Sequence, residues 1–332
     1  MALRLLEIAV PADFEARVAE LLAAHESVSQ WQLEASDSDA VFHVVMAAED
    51  TEPLMDDIES NCSDCPNLRM VLVPVEASVP HVEAPPPEEP ARRLPIGIGA
   101  TWRVSREELY EDAVDGASVA PIFYILIALS AVVASVGLLK DNVAVIIGAM
   151  VIAPLYGPNA ALSVGTSLGD MKLLGKALRA LGVGVGLALI LSVIAGLFLE
   201  VDPAVPSVAA RTVVSHADVV LALCAGAAGA FAFTAGQPRA LTGVMVAVAL
   251  LPPIVTCGLL LGEGDVALAM QALLLVAVNV ICINLAGVAA FVAQGVRPRS
   301  WWEAEKAKRA TVRAAATWIG LLALLLVILA LD

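Results

Sequence analysis

Lysine is scarce in this sequence, with five residues against fourteen arginines, and the first 90 residues hold only 3 basic side chains against 19 acidic ones. A segment of that charge, −16, is not a nucleic-acid-binding surface. Charge is missing elsewhere too. The centres of the long apolar runs contain no Asp, Glu, Lys, Arg or His, the residues that intramembrane proton relays and voltage sensors use. Cysteine is sparse. Cys62 and Cys65 form one C-x-x-C without a second pair or a nearby histidine, which is a weak zinc signal, and Cys224, Cys257 and Cys282 fall inside apolar runs. No nucleotide-binding loop, paired metal ligands or His-Ser-Asp grouping is present, so neither an enzyme nor a cofactor is expected. The start, MALRLLEIAVPADFEARVAE, lacks the long apolar core of a secretory signal, and the N-terminal domain is expected to stay in the cytoplasm.

What is abundant is apolar surface: 59% of the 332 residues are hydrophobic, 16% are charged and the mean hydropathy is +0.83. That composition belongs to a polytopic α-helical membrane protein. Because residues 91–332 carry a net charge of only +1, a soluble acidic domain precedes a nearly neutral membrane domain. In residues 1–78, alternating and amphipathic stretches give strands at 3–10, 28–35, 40–48 and 68–76 and helices at 12–25 and 51–62. That order, β-α-β-β-α-β, is ferredoxin-like. Its acidity suits either adaptation to high salt or a surface for cations or a basic partner. Residues 79–104 are a proline-rich linker, and 105–117 form an interfacial amphipathic helix capped by Ser105 with Glu108.

Seven segments are long enough to cross roughly 30 Å of hydrocarbon. They lie near 120–139, 142–165, 176–199, 216–235, 240–262, 267–291 and 311–331. Basic residues cluster before the first span, between the second and third, and between the sixth and seventh, which predicts a cytoplasmic N terminus and an external C terminus in the cell membrane.

A shift of 95 residues aligns 148–185 with 243–280, giving twelve identities without a gap, where composition alone gives roughly four. Gly148/Gly243, Met150/Met245, Leu155/Leu250, Pro158/Pro253 and the Gly-Asp pairs 169–170 and 264–265 are among them. Three spans in each of the repeats 118–200 and 215–294 place the second upside down relative to the first. Both repeats interrupt an apolar run with proline: GAMVIAPLYGPN at 148–159 and Pro252-Pro253. Broken helices paired in this way mark a solute site near the bilayer midplane, for which the candidate residues are Pro154, Tyr156, Gly157, Pro158, Asn159, Pro252, Pro253, Thr256 and Asn279. The alternative is that the prolines are kinks and the buried amides tie helices together. Three functions fit: a secondary transporter of a small solute or ion, a channel through the same cavity, or a membrane-anchored sensor or scaffold. The small-residue faces at Gly182–Gly186 and Ala225–Ala230 allow helix packing within or between subunits, and a homo-oligomer is expected.

The stretch Gly148 to Leu155, followed by Gly157-Pro158 and Gly169-Asp170, resembles the hallmark of the family known as domain of unknown function 389. SREELYEDAVDGAS and GLLKDNVAVIIGAM extend the resemblance over about 105–295. It implies a multi-pass prokaryotic membrane protein, with Gly148, Met150, Pro154, Leu155 and Pro158 as pattern residues, and carries no substrate.

Overall fold

The alternation in LRLLEIAVP builds β1 (Leu3–Pro11), whose even-numbered residues Leu6, Ile8 and Val10 are buried while Leu5, Glu7 and Ala9 are partly exposed. The computed structural model describes residues 3–36, 39–75, 104–236 and 239–296, with a few helical positions between 316 and 323. Most of the proline-rich linker and most of the seventh span lie outside the described residues. The described chain divides into two compact units, 1–108 and 109–332.

In the first unit, α1 (Glu15–Ala23) follows a short 3-10 turn, β2 (Ser29–Ser36) and β3 (Asp39–Ala47) form a hairpin, and α2 (Ala48–Asn61) leads to β4 (Arg69–Val75). The four strands make one antiparallel sheet in the order β2-β3-β1-β4. Leu6, Ile8, Val10, Phe42, Val44 and Met46 from one sheet face close a core with Val18 and Leu22 of α1 and Leu54 and Ile58 of α2. Cys62 is buried against that core and Cys65 packs beside it. Burial pushes both thiols up, the reverse of what an activated thiolate requires.

The unit boundary falls within the first turn of α3 (Arg106–Gly116). Beyond it run α4 (Pro121–Leu139), α5 (Val143–Ile152), α6 (Tyr156–Leu168), α7 (Met171–Phe198), the single turn α8 (Pro206–Ala209), α9 (His216–Thr234), α10 (Arg239–Glu263) and α11 (Val266–Ala293). Five stretches within these helices are long and apolar enough to cross a membrane, and α5 with α6 makes a sixth if the bent pair counts as one span. Ile122, Ile125, Leu129 and Val132 form an exposed apolar stripe along α4, a surface that suits lipid and not water. The same helix boundaries recur at a constant offset: 121 and 216, 139 and 234, 168 and 263, 171 and 266, 198 and 293, each pair 95 residues apart.

Local chemistry sets those boundaries. Gly169 and Gly264 take positive φ angles of 69° and 103°, which ends α6 and α10 at little steric cost. Asp170 and Asp265 then cap the next helix, accepting from the amides of Leu173 and Leu268 at 3.1 Å. Pro121 opens α4 where a missing amide costs nothing, and Ser215 with Asp218 forms the capping box of α9.

Glycines set the close helix packing. A Cβ on Gly226 would lie 2.4 Å from the carbonyl oxygen of Ile283, so this part of the Ala225–Ala230 face packs α9 on α11 within the subunit. On α7, Gly182 and Gly186 meet nothing within 4 Å, whereas Gly184 packs against Leu155 and Phe123.

Candidate functional site

The expected break is present once. Pro154 has no amide to return to the Met150 carbonyl, so α5 stops at Ile152 and α6 restarts at Tyr156, with a 56° bend between them. Gly157 and Pro158 are not part of the interruption but lie in the first turn of α6. Proline is tolerated there because that amide would lack an intrahelical partner anyway.

The expected matching break is absent. α10 runs without interruption from Arg239 to Glu263, with Pro252 and Pro253 inside it. The 95-residue alignment contains the reason: Pro158 has a counterpart in Pro253, but Pro154 aligns with Ala249, which keeps its amide. Pro253 still deprives the Ala249 carbonyl of its helical donor, and Asn279 Nδ2 supplies a replacement at 2.7 Å. Asn279 is thereby engaged in stitching α11 to α10. If so, Asn279→Ala costs about 1–3 kcal/mol with Pro253 present, and much less beside Pro253→Ala, whose restored amide reaches Ala249. A double-mutant cycle of thermal unfolding in detergent measures the coupling, and equal costs in both backgrounds would refute the stitch.

The break opens onto a cavity of about 550 Å3. Its wall includes Val151, Ile152, Ala153, Pro154, Tyr156 and Gly157, together with Phe123 of α4, Phe233 of α9 and Gly243 of α10. Asp112 and Asp115 of α3 supply the charged side chains of the lining, and no basic residue joins them among the described residues. Of the nine expected site residues, this cavity therefore gathers Pro154, Tyr156 and Gly157. The α3 carboxylates, the missing part of the expectation, carried one signal: two aspartates three residues apart on the helix leading into the first span.

The remaining six lie deeper or elsewhere. Asn159 is 1% exposed and donates to the Leu155 carbonyl at 2.8 Å, while its Oδ1 accepts from Asn284 Nδ2 at 3.1 Å. Ser163 donates to Asn284 Oδ1 at 3.0 Å, which completes a buried polar link between α6 and α11. Tyr156 and Asn159 border a second space of about 10 Å3, enough for one water. Tyr156 spans both spaces, donating its hydroxyl to the Gly229 carbonyl at 3.0 Å. Thr256 is fully buried, with no hydrogen-bond partner for its hydroxyl among the described residues, and Pro158, Pro252 and Pro253 are helical. Among the pattern residues, Met150 and Leu155 are buried and Gly148 meets nothing within 4 Å; of their counterparts in the second repeat, Gly243 borders the cavity and the Met245 side chain lies outside the described residues.

Two contacts fasten α3, one to α6 and one to the cap of α7. A Cβ on Gly157 would sit 2.6 Å from the Gly116 carbonyl oxygen, so the backbones touch. Tyr110 donates to Asp170 Oδ2 at 2.8 Å. Burial opposes ionisation of Asp170, but the bonds from Tyr110 and from the Leu173 and Lys172 amides outweigh it and hold its pKa low. The bond to Asp170, with burial behind it, pushes Tyr110 up to about 12. A phenol whose pKa is raised in the folded state adds stability that is complete below about pH 10 and lost as the pH climbs through about 12. The Asp170 contribution runs the other way, present above the ordinary carboxylate range and lost as the pH falls through its lowered pKa. Tyr110→Phe should cost about 1 kcal/mol at neutral pH and flatten the alkaline decline in melting temperature. An unchanged alkaline limb would show that this bond does not hold the helix.

The fold and composition define a multi-spanning helical membrane protein with a small α/β unit at its N terminus. Residues 150–285 match the family described as "Domain of unknown function (DUF389)". The chain is 34% identical over 282 residues to "Uncharacterized protein MJ0678" of Methanocaldococcus jannaschii, covering 85% of each. It belongs to the domain of unknown function 389 family. No solved structure matches it.

Proposed function

We propose that this protein is a membrane transporter of a small solute or ion, with its site in the cavity at the Pro154 helix break. The carrying observation is the interruption at Pro154 beside that cavity, whose volume falls in the usual range for small-molecule sites. Pro154 leaves the carbonyl of Met150 without its helical donor, and such an oxygen coordinates a cation or accepts from a solute. Asp112 and Asp115, with no basic side chain beside them in the lining among the described residues, favour a cationic or uncharged solute over an anion.

The architecture that best supports such a carrier is a pair of three-span repeats in opposite orientation. The constant 95-residue offset of the helix boundaries and the recurring Gly-Asp junctions favour it. In this reading the repeats are unequal: one is broken and forms the site, and the other is continuous and forms a rigid partner. The basic loops favour a cytoplasmic N terminus, and the sheet order β2-β3-β1-β4 favours a ferredoxin-like N-terminal domain.

The test is an untargeted screen for solutes that co-purify with the protein, followed by uptake of the best candidates into proteoliposomes. Saturable, gradient-driven uptake supports a transporter. Large unitary currents replace it with a channel, and neither activity removes the proposal.

A further inference from the structure

The helix-free face of the N-terminal sheet is largely apolar, and no element among the described residues covers it. Reading across the strand register, Trp31, His43, Glu7 and Val71 form one row; Leu33, Val41, Ala9 and Arg69 form the next; and Ser29, Val45, Leu5 and Val73 form a third. Trp31, Leu33, Val71 and Val73 are 44%, 51%, 39% and 43% exposed, a heavy apolar load for a domain whose remaining surface is strongly acidic. The charge in the middle row is already internally matched, with His43 Nε2 3.1 Å from Glu7 Oε2 and Trp31 stacked on the imidazole at 5.5 Å.

We propose that this face binds the same face of a second copy of the chain, so that the N-terminal domains pair sheet to sheet. The row order is self-complementary. A two-fold axis running parallel to the strands, midway between β1 and β3, sets each row against its own reverse. Trp31 then meets Val71 of the other copy, His43 meets Glu7, Val41 meets Ala9, and on the outer strands Leu33 meets the aliphatic stem of Arg69, whose guanidinium reaches water at the sheet edge. Aligned sheets pack in this way about 10 Å apart.

The area is sufficient. Four strands about 4.8 Å apart and roughly 26 Å long give a footprint near 500 Å2, hence about 1,000 Å2 over two copies, the level at which a specific interface begins. Confinement of both copies to one bilayer raises their effective concentration, so an interface of modest size is enough. Other occupants fit less well. A basic partner finds only one carboxylate in the rows, already paired, and an anionic leaflet repels a segment of charge −16. The pairing holds whether or not the membrane unit moves a solute.

The experiment uses the full chain reconstituted in liposomes, with Cys65 and Cys224 changed to serine. One population carries Ala9→Cys and a differently tagged population carries Val41→Cys, and a short bis-maleimide is added. Covalent hetero-dimers are expected between these two populations, and not when Glu20→Cys, exposed on α1, replaces Val41→Cys. Adding Leu33→Glu and Val71→Glu, both at exposed positions, should leave the melting temperature unchanged and reduce the cross-linked fraction at least tenfold. Three results overturn the pairing: equal cross-linking at position 20, a fraction unmoved by the glutamates, or no cross-linking. In the last case, position 41 open to a water-soluble maleimide means a free monomeric face. Position 41 protected means that another part of the chain, another protein or the bilayer covers it.

Discussion

Gly262→Ala is expected to destabilise the membrane unit by about 3 kcal/mol, because the added methyl group has nowhere to go. It would lie 2.3 Å from the Val193 carbonyl oxygen and 2.8 Å from the backbone of Gly196. The contact is reciprocal: a Cβ on Gly196 would meet the Leu259 carbonyl oxygen at 2.2 Å. These obstacles are main chain on both sides, so no side-chain rotation relieves them, and α7 must separate from α10. The measurement is the melting temperature in detergent. The matching control is Gly186→Ala on α7, where nothing lies within 4 Å and the better helix former should be neutral or mildly stabilising. Equal melting temperatures for the two variants would contradict the packing described for α7 and α10.

Pro154→Ala should separate stability from activity. Alanine restores the amide that α5 lacks and removes a steric break worth about 3 kcal/mol against a continuous helix. The bend of 56° then loses its covalent cause, and the Met150 carbonyl is bonded within the helix and no longer available to a solute. Uptake of the solute identified by screening should fall at least tenfold, equivalent to about 1.4 kcal/mol, with the melting temperature held or raised. Pro252→Ala acts inside a helix that is already continuous, so uptake should stay within about twofold of wild type. Loss of uptake in both variants alike would restore the paired-break arrangement.

Much of this was legible from residues alone. The Gly-Asp pairs at 169–170 and 264–265 announce helix stop and restart by backbone chemistry that needs no tertiary partner, and both junctions form as the sequence dictates. Even the inequality of the two repeats was present in the alignment, since Pro154 faces Ala249 and only Pro158 faces another proline. Proline density was the misleading signal. Whether a proline breaks a helix depends on what happens to the carbonyl it orphans, and for Pro253 the answer lies 30 residues away from that carbonyl, in Asn279. Asn159 and Asn284 illustrate the same limit: sequence shows two amides in apolar spans, but only packing brings them within 3.1 Å of each other. Asp112 and Asp115 join the cavity because α3 folds back on α6, an arrangement that no local pattern encodes.

Water and solute are expected to reach the chain at the Pro154 break and not at the equivalent position of α10. Cysteine accessibility in liposomes tests it without knowledge of the solute. Ile152→Cys lines the cavity, while Val248→Cys, the counterpart of Ala153, lies on the exposed apolar surface of α10. With Cys65 and Cys224 replaced by serine, a charged methanethiosulfonate reagent should modify position 152 from one side of the membrane at least tenfold faster than position 248. Equal protection of both positions from either side would contradict a solute-accessible break and reduce Pro154 to a packing kink.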